Sequence, residues 1–296
     1  MGHNHDHSHG SGHLGLGLVL NSAYTVIEFV AGALTGSVAL MSDAAHNLTD
    51  VLTLGTSYWA DKIARKNPTE RKTYGYGRAT IIAALANASV MIAVSAAIIV
   101  GAVMRMLNPE PVEGGTVALV ALGGIAVNGF IAYLLSRRKQ DLNIKSAYID
   151  MLFDTVSSVG AVVSGVVIYF THVYWIDSAV GIAIACLLAY NAVKILLEAG
   201  HILYDGTPSD VDFQKVKRAI MSVDHVLNVH DLHIRSIRSG YNSLSCHVVV
   251  PDSLSLPQAN DIRKSVSDLL ESSCSIQHST IQTEPTVCTV SHLPRH

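Results

Sequence analysis

Charge is what this sequence has least of. Asp, Glu, Lys and Arg make up 15% of its 296 residues, against about 25% in ordinary soluble domains. The shortage is uneven. From His13 to Gly200 charge is scarce, and from Asp205 onward it is ordinary. That excludes a uniformly soluble chain and predicts a membrane part followed by a soluble part. The four cysteines, Cys186, Cys246, Cys274 and Cys288, form no CxxC pair and no disulfide-like spacing. Three of them, Cys288 aside, read as buried thiols in a reducing compartment. The N-terminus is His-rich rather than basic then apolar, so no secretory signal is expected. A net charge of −3 goes with no nucleic-acid partner.

What is present begins with histidine. Residues 1–13, MGHNHDHSHGSGH, hold five of them and no apolar cluster. Such a tract cannot bury enough surface to fold, and it predicts a disordered, metal-collecting tail. Six long apolar stretches follow, at about 14–36, 38–62, 78–107, 115–136, 146–172 and 175–200. A span needs about 20 residues at 1.5 Å rise each, so all six qualify as transmembrane helices. Basic residues concentrate in two loops. Lys62, Arg65, Lys66, Arg71, Lys72 and Arg78 lie between spans two and three, and Arg137, Arg138, Lys139 and Lys145 between four and five. The positive-inside rule puts both loops and both termini in the cytoplasm.

From Asp205 the period changes. Phe213, Val216, Ile220 and Val223 form a helical stripe, Val226–Ile237 and Ser243–Val250 read as strands, Leu256–Leu270 is helical, and Ile276–Glu284 is a third strand. The order αββαβ predicts a small, ferredoxin-like α+β domain over 205–296, beside a transport-sized membrane domain over 14–204.

Ionisable groups inside a span are costly, so each is a candidate functional residue. The second span contains Asp43, His46 and Asp50 in SDAAHNLTD, and the fifth contains Asp150 and Asp154 in YIDMLFD. His46 and Asp50 are four apart, on one helix face. Asp150 and Asp154 repeat that spacing. Together they offer one imidazole and three carboxylates, a set that suits tetrahedral zinc. Three carboxylates close together in low dielectric do not all stay ionised unaided. A divalent cation would hold them ionised, and protons would neutralise them in its place. That exchange is the physical basis of metal–proton antiport. Asp43, one turn before His46, reads either as a residue behind the site that orients the imidazole or as a plain helix-start residue. Glu28 and Asp177 stand apart and are read as ion-pairing or capping residues.

These residues, with LTGSVALMSDAAHNLTD, YGYGR at 74–78, NPEPVEGG at 108–115, VHDLHI at 229–234, SCHVVV at 245–250 and HSTIQTEP at 278–285, resemble the cation diffusion facilitator family, in its bacterial zinc/cobalt/cadmium efflux branch. The likeness runs from the first span to about Cys288. It implies a multi-pass protein of the bacterial inner membrane, a homodimer exchanging cytoplasmic metal for external protons, and no enzyme activity. It implies that the faces of the second and fifth spans form the transport site. It also marks His230 and His247, with Glu284 and Cys288, as ligands of a regulatory zinc in the cytoplasmic domain. The chain departs from the family in two places. Zinc members usually carry His where this chain has Asp150, so the site is harder and should better tolerate cadmium, cobalt, iron or manganese. Lys72 and Tyr76 stand where some members have loop histidines, so no metal is expected there.

Other readings fit less well. An intramembrane aspartyl protease needs a GxGD element and acids on separate spans, whereas these acids pair within one helix. A sensor or store would not need the intramembrane ligands. An uncoupled metal channel, or a member preferring manganese, cadmium or cobalt, shares them.

Overall fold

The computed structural model describes residues 11–136, 142–238 and 240–285. Six long helices come first: α1 (Ser11–Thr35), α2 (Val38–Ala64), α3 (Ala79–Leu107), α4 (Gly114–Ser136), α5 (Leu142–Thr171) and α6 (Trp175–Leu203). They fall on the six apolar stretches. Among the described residues, four helical segments (Ala79–Leu107, Gly114–Leu134, Met151–Thr171 and Trp175–Leu203) are long and apolar enough to cross a membrane by length and composition. The second helix is less apolar because it carries Asp43, His46, Asp50, Asp61 and Lys62.

The helices are inside-out relative to a soluble bundle. Glu28, Ser42, Asp43, Asn47, Asn128, Asp154, Ser158 and Asp177 are buried, while Val26, Ile27, Leu34, Leu119, Val156 and Phe170 are exposed. Exposed apolar surface on that scale needs a non-aqueous solvent, and a lipid bilayer supplies it. The chain is an α-helical membrane protein.

Met1–Thr56 and Ala86–Ile195 form one compact unit. Its apolar centre gathers Leu40, Val117, Ala121, Ala161 and Ile168. Gly36, at φ 70°, makes the sharp turn from α1 into α2. The amides that open α2 have no helical partner, and Asp177 of α6 accepts from Val38 N–H, Ala39 N–H and the Ser37 hydroxyl. That settles Asp177 as a capping residue.

The fourth and fifth helices run antiparallel at close range. A Cβ at Gly165 would lie 2.6 Å from the Ala118 nitrogen, and one at Gly114 would lie 2.5 Å from the Gly165 carbonyl. Small residues let the backbones meet, as they do between membrane helices generally. Gly165→Val should therefore push α4 from α5 and destabilise the bundle by about 1–3 kcal/mol. A lower melting temperature in detergent checks this, and an unchanged one would refute it.

Ser57–Leu85 and Leu196–His296 form the second unit. It contains α7 (Phe213–Met221), β1 (Asn228–Arg238), β2 (Tyr241–Val249), α8 (Leu256–Cys274) and β3 (His278–Glu284). β1 pairs antiparallel with β2, and β2 pairs parallel with β3 across the α8 connection. The order αββαβ is as the sequence predicts. Val216 and Ile220 of α7, Val229 and Ile234 of β1, Leu244 and Val248 of β2, and Val266 and Leu270 of α8 form its core. Asp212 caps α7 by accepting from Gln214 N–H at 2.8 Å and Lys215 N–H at 3.1 Å. Those Lys215 and Gln214 amides hold its carboxyl below the usual range. The cap therefore stabilises α7 at neutral pH and weakens as acid protonates it. Ser255 opens α8 with its N–H and hydroxyl both donating to Gln258 Oε1.

Candidate metal centres

In the first unit, the polar face of α2 meets α5. The Nε2 atom of His46 lies 3.3 Å from Asp154 Oδ1 and 3.6 Å from Asp50 Oδ2. The imidazole therefore stands between carboxylates from two helices, as the i, i+4 spacing requires. Asp154 is 1% exposed, and neither of its oxygens accepts a hydrogen bond. Asp150 lies on α5 one turn before Asp154, but its side chain is outside the described residues.

Behind this pair is a polar layer. Tyr24 donates to Glu28 Oε1 at 3.2 Å and to the Val120 carbonyl at 3.1 Å. The Asn47 amide donates to Glu28 Oε2 at 3.5 Å. Glu28, which looks isolated in sequence, is thus tied to α2 and, through Tyr24, to α4. Asp43 accepts from the Ser158 hydroxyl at 3.2 Å. That bond joins it to α5 rather than to His46, whose Nδ1 is buried without a hydrogen bond. Gly124 leaves room for the layer, since a Cβ there would lie 2.6 Å from both Ser158 Oγ and Tyr24 OH.

Several buried polar atoms of the layer have no hydrogen-bond partner. They include Asp43 Oδ1, His46 Nδ1, Asn47 Oδ1 and both Asp154 oxygens, and elsewhere on α4 both amide atoms of Asn128 lack one too. Leaving such a group unmade costs about 1–3 kcal/mol. So many in one region signal a place built for water, protons or a cation rather than for dry packing.

In the second unit the sheet register builds another cluster. His230 is paired directly with His247, and Glu284 is paired with Val249, two residues beyond His247 on β2. His230 Nε2 bonds Glu284 Oε1, His247 Nδ1 lies 3.4 Å from Glu284 Oε2, and the two rings are 5.1 Å apart. One donor atom from each of the three residues can lie within 4.8 Å of the others. The register is irregular between His230 and His233, and Asp231 takes a φ of 51° there. That kink brings Asp231 Oδ2 to 3.8 Å from His247 Nε2, and its Oδ1 lies 3.0 Å from His233 Nε2. Two imidazoles and a carboxylate are an appropriate donor set for zinc.

Other candidates fall elsewhere. His233 and His278 lie outside this cluster and line a cavity of about 590 Å³ with Tyr74, Asp205 and Arg235. Arg78 and Arg235 both pair with Asp205 there. Lys72 sits 4.7 Å over the Tyr76 ring, an arrangement that offers a cation no ligand. Cys288 lies outside the described residues, as do residues 1–10 of the His-rich tract, while Ser11 to His13 open α1.

The cation efflux transmembrane domain family matches residues 14–204, and the family of the cation efflux protein cytoplasmic domain matches residues 208–286. The chain belongs to the cation efflux family. It is 36% identical over 287 residues to the cadmium, cobalt and zinc/H(+)-K(+) antiporter of Bacillus subtilis, covering 96% of this chain and 92% of the relative. It is 33% identical over 297 residues to the metal cation efflux system protein CzcD of Cupriavidus metallidurans, covering 100% and 93%. It is 31% identical over 298 residues to the zinc transporter ZitB of Pectobacterium atrosepticum, covering 99% and 92%.

Within this cation efflux protein, sequence reasoning missed Asn47, Asn128, Ser158 and Asp231. A polar residue in an apolar span was the available signal for the first three. Nothing in the strand pattern marked Asp231, because its placement comes from a local irregularity. Cys246 faces the core beneath the histidine cluster, and burial pushes its thiol up to about 12. A raised thiol keeps its proton at pH 7–9 and so is a poor nucleophile. Maleimide at pH 8 should leave Cys246 unlabelled in the folded protein and label it after unfolding. Mass spectrometry of the native sample would refute this by finding it modified.

Proposed function

We propose that this cation efflux protein exports divalent metal cations from the cytoplasm in exchange for protons, with zinc, cadmium and cobalt as substrates. The observation that carries the reading is the buried contact of His46 with Asp154 across α2 and α5. The relatives' names supply the metals and the proton.

In this reading His46, Asp50, Asp150 and Asp154 hold the cation during transport, with Asp43 behind them. Nitrogen and oxygen donors around a small divalent ion suit zinc. Three carboxylates and no thiolate keep the site hard enough for other divalent ions. A cation holds the carboxylates ionised, and after it leaves protons neutralise them. Each loading satisfies the charge that the other leaves exposed, so the site crosses the cycle loaded one way or the other. That is why export draws on an opposing proton gradient.

We assign residues 14–204 to transport and 205–296 to a cytoplasmic domain, with both termini and both basic loops on the cytoplasmic side of the cell membrane. The protein acts as a homodimer. The cytoplasmic domain binds a regulatory zinc through His230, His247 and Glu284, with Cys288 as a further candidate. A metal there favours one state of the transporter over another through its differential affinity.

The test uses purified full-length protein in liposomes with a zinc-sensitive dye inside. Zinc uptake should accelerate several-fold when the lumen is made more acidic than the bath. The direction follows from exchange, because protons leaving the lumen drive zinc in. Zinc flux indifferent to the pH gradient would replace this reading with an uncoupled metal channel. Flux absent for zinc but present for manganese would assign the protein a different cargo.

A further inference from the structure

We propose that Asn128 of α4 is a specificity-determining residue of the transport site, offering its carboxamide oxygen to the cation beside Asp154. The proposal rests on the transport reading of α2 and α5 and adds a third helix to it.

The position follows from helix packing. α4 and α5 are antiparallel, with Gly165 against Ala118 and Gly124 against Ser158. Four residues on from Gly124 is Asn128, and four residues back from Ser158 is Asp154. Each step advances about 6 Å in the same direction. Asn128 and Asp154 therefore stand at the same level on facing helices.

Their chemistry is complementary and unused. Asn128 is fully buried, and neither its amide nitrogen nor its amide oxygen has a hydrogen-bond partner. Neither oxygen of Asp154 accepts a hydrogen bond, and its near partner is the His46 imidazole. If the two side chains were bonded to each other, both would be satisfied. They stand at one level and do not bond each other, so a cation taken by both would satisfy both. His46 Nε2 lies 3.3 Å from Asp154 Oδ1. A cation beside Asp154 would take the carboxylate and the amide oxygen together. Protons on the carboxylate would let it donate to the same amide oxygen. Asn128 thus has a partner in each loading of the site.

The consequence is selectivity. A carboxamide oxygen is hard and neutral, so it raises the coordination number without adding charge. Zinc is content with four ligands. Manganese favours more numerous oxygen donors. Asn128 therefore widens the range of cations accepted, in the direction that Asp150 already takes it.

The test compares the full-length protein with Asn128→Leu, which removes the amide at similar volume. Both carry His247→Ala to silence the cytoplasmic cluster. The first readout is the visible spectrum of bound cobalt. The protein with Asn128 should show the weak bands of five or more ligands, and Asn128→Leu the stronger bands of a tetrahedral ion. The second readout is competitive flux in liposomes. Asn128→Leu should lower manganese flux relative to zinc by about tenfold. A tetrahedral cobalt spectrum with Asn128 present overturns the proposal even if the variant does not fold. An unchanged spectrum and flux ratio in a folded variant also overturn it. Loss of all flux in Asp154→Ala with no change in Asn128→Leu would leave the transport reading standing and remove this inference alone. Undiminished flux in Asp154→Ala would remove both.

Discussion

Asp154→Asn should abolish metal transport while leaving the protein folded. The replaced carboxylate is 1% exposed against 43% for Asp50, and His46 is its neighbour at 3.3 Å. Even partners that merely orient a metal ligand are worth about 10–100-fold, so a direct ligand should cost on the order of 100-fold or more. Stability should respond differently. The near partner of Asp154 is His46 Nε2 at 3.3 Å, and an asparagine oxygen can keep that contact. A neutral amide of the same shape loses the charge attraction to His46 but also spares the burial of a carboxylate, and the two effects offset. The expected pair of results is therefore zinc flux at the level of protein-free liposomes and a melting temperature close to that of the unmodified chain. A purely structural Asp154 would give the reverse, with flux and stability falling together.

The candidate ligand faces were legible in the sequence because helical spacing is a local property. His46 and Asp50 share a face by number alone, and so do Asp150 and Asp154. The six apolar runs and the αββαβ order were legible for the same reason, since each rests on a period of 3.6 or 2 within one element. The layer behind the transport site was not legible. Glu28 looks isolated until Asn47 of α2 and Tyr24 are seen to meet it. Asp43 sits one turn from His46, and the spacing alone suggested an orienting bond. The structure instead gives its bond to Ser158, because the fifth helix approaches closely enough over Gly124. Such contacts depend on which small residues let two helices touch, and that is decided by packing of distant segments. The Arg78–Asp205 pair bridges residues 127 apart in the chain. It could be suspected from topology, but only the fold brings the groups together. Arg235 and the Tyr74 ring at the same place had no sequence signal at all.

The cytoplasmic cluster yields the second large effect. His247→Ala should eliminate high-affinity metal binding by the cytoplasmic domain, while transport falls but persists. His247 holds the centre of the cluster because β2 lies between β1 and β3. It faces His230 directly across one ladder, and its Nδ1 lies 3.4 Å from Glu284. Losing it removes one of two imidazoles and leaves a single His–Glu pair, so affinity should fall by about 100-fold or more. The fold should survive. The side chain is 27% exposed, and the core beneath is made by Val229, Ile234, Leu244 and Val248 on the opposite face. Metal titration of the full chain would show one fewer site per protomer. Binding should also weaken as pH falls, because imidazoles must lose their protons to ligate. Glu284→Gln provides a separate arm. It keeps both imidazoles and removes only the charge, so its loss of affinity should be smaller than that of His247→Ala. Equal metal content in His247→Ala and the unmodified chain would overturn the regulatory site. Residual transport in the variant would support the proposed division of labour, with α2 and α5 carrying the cation and the sheet regulating it.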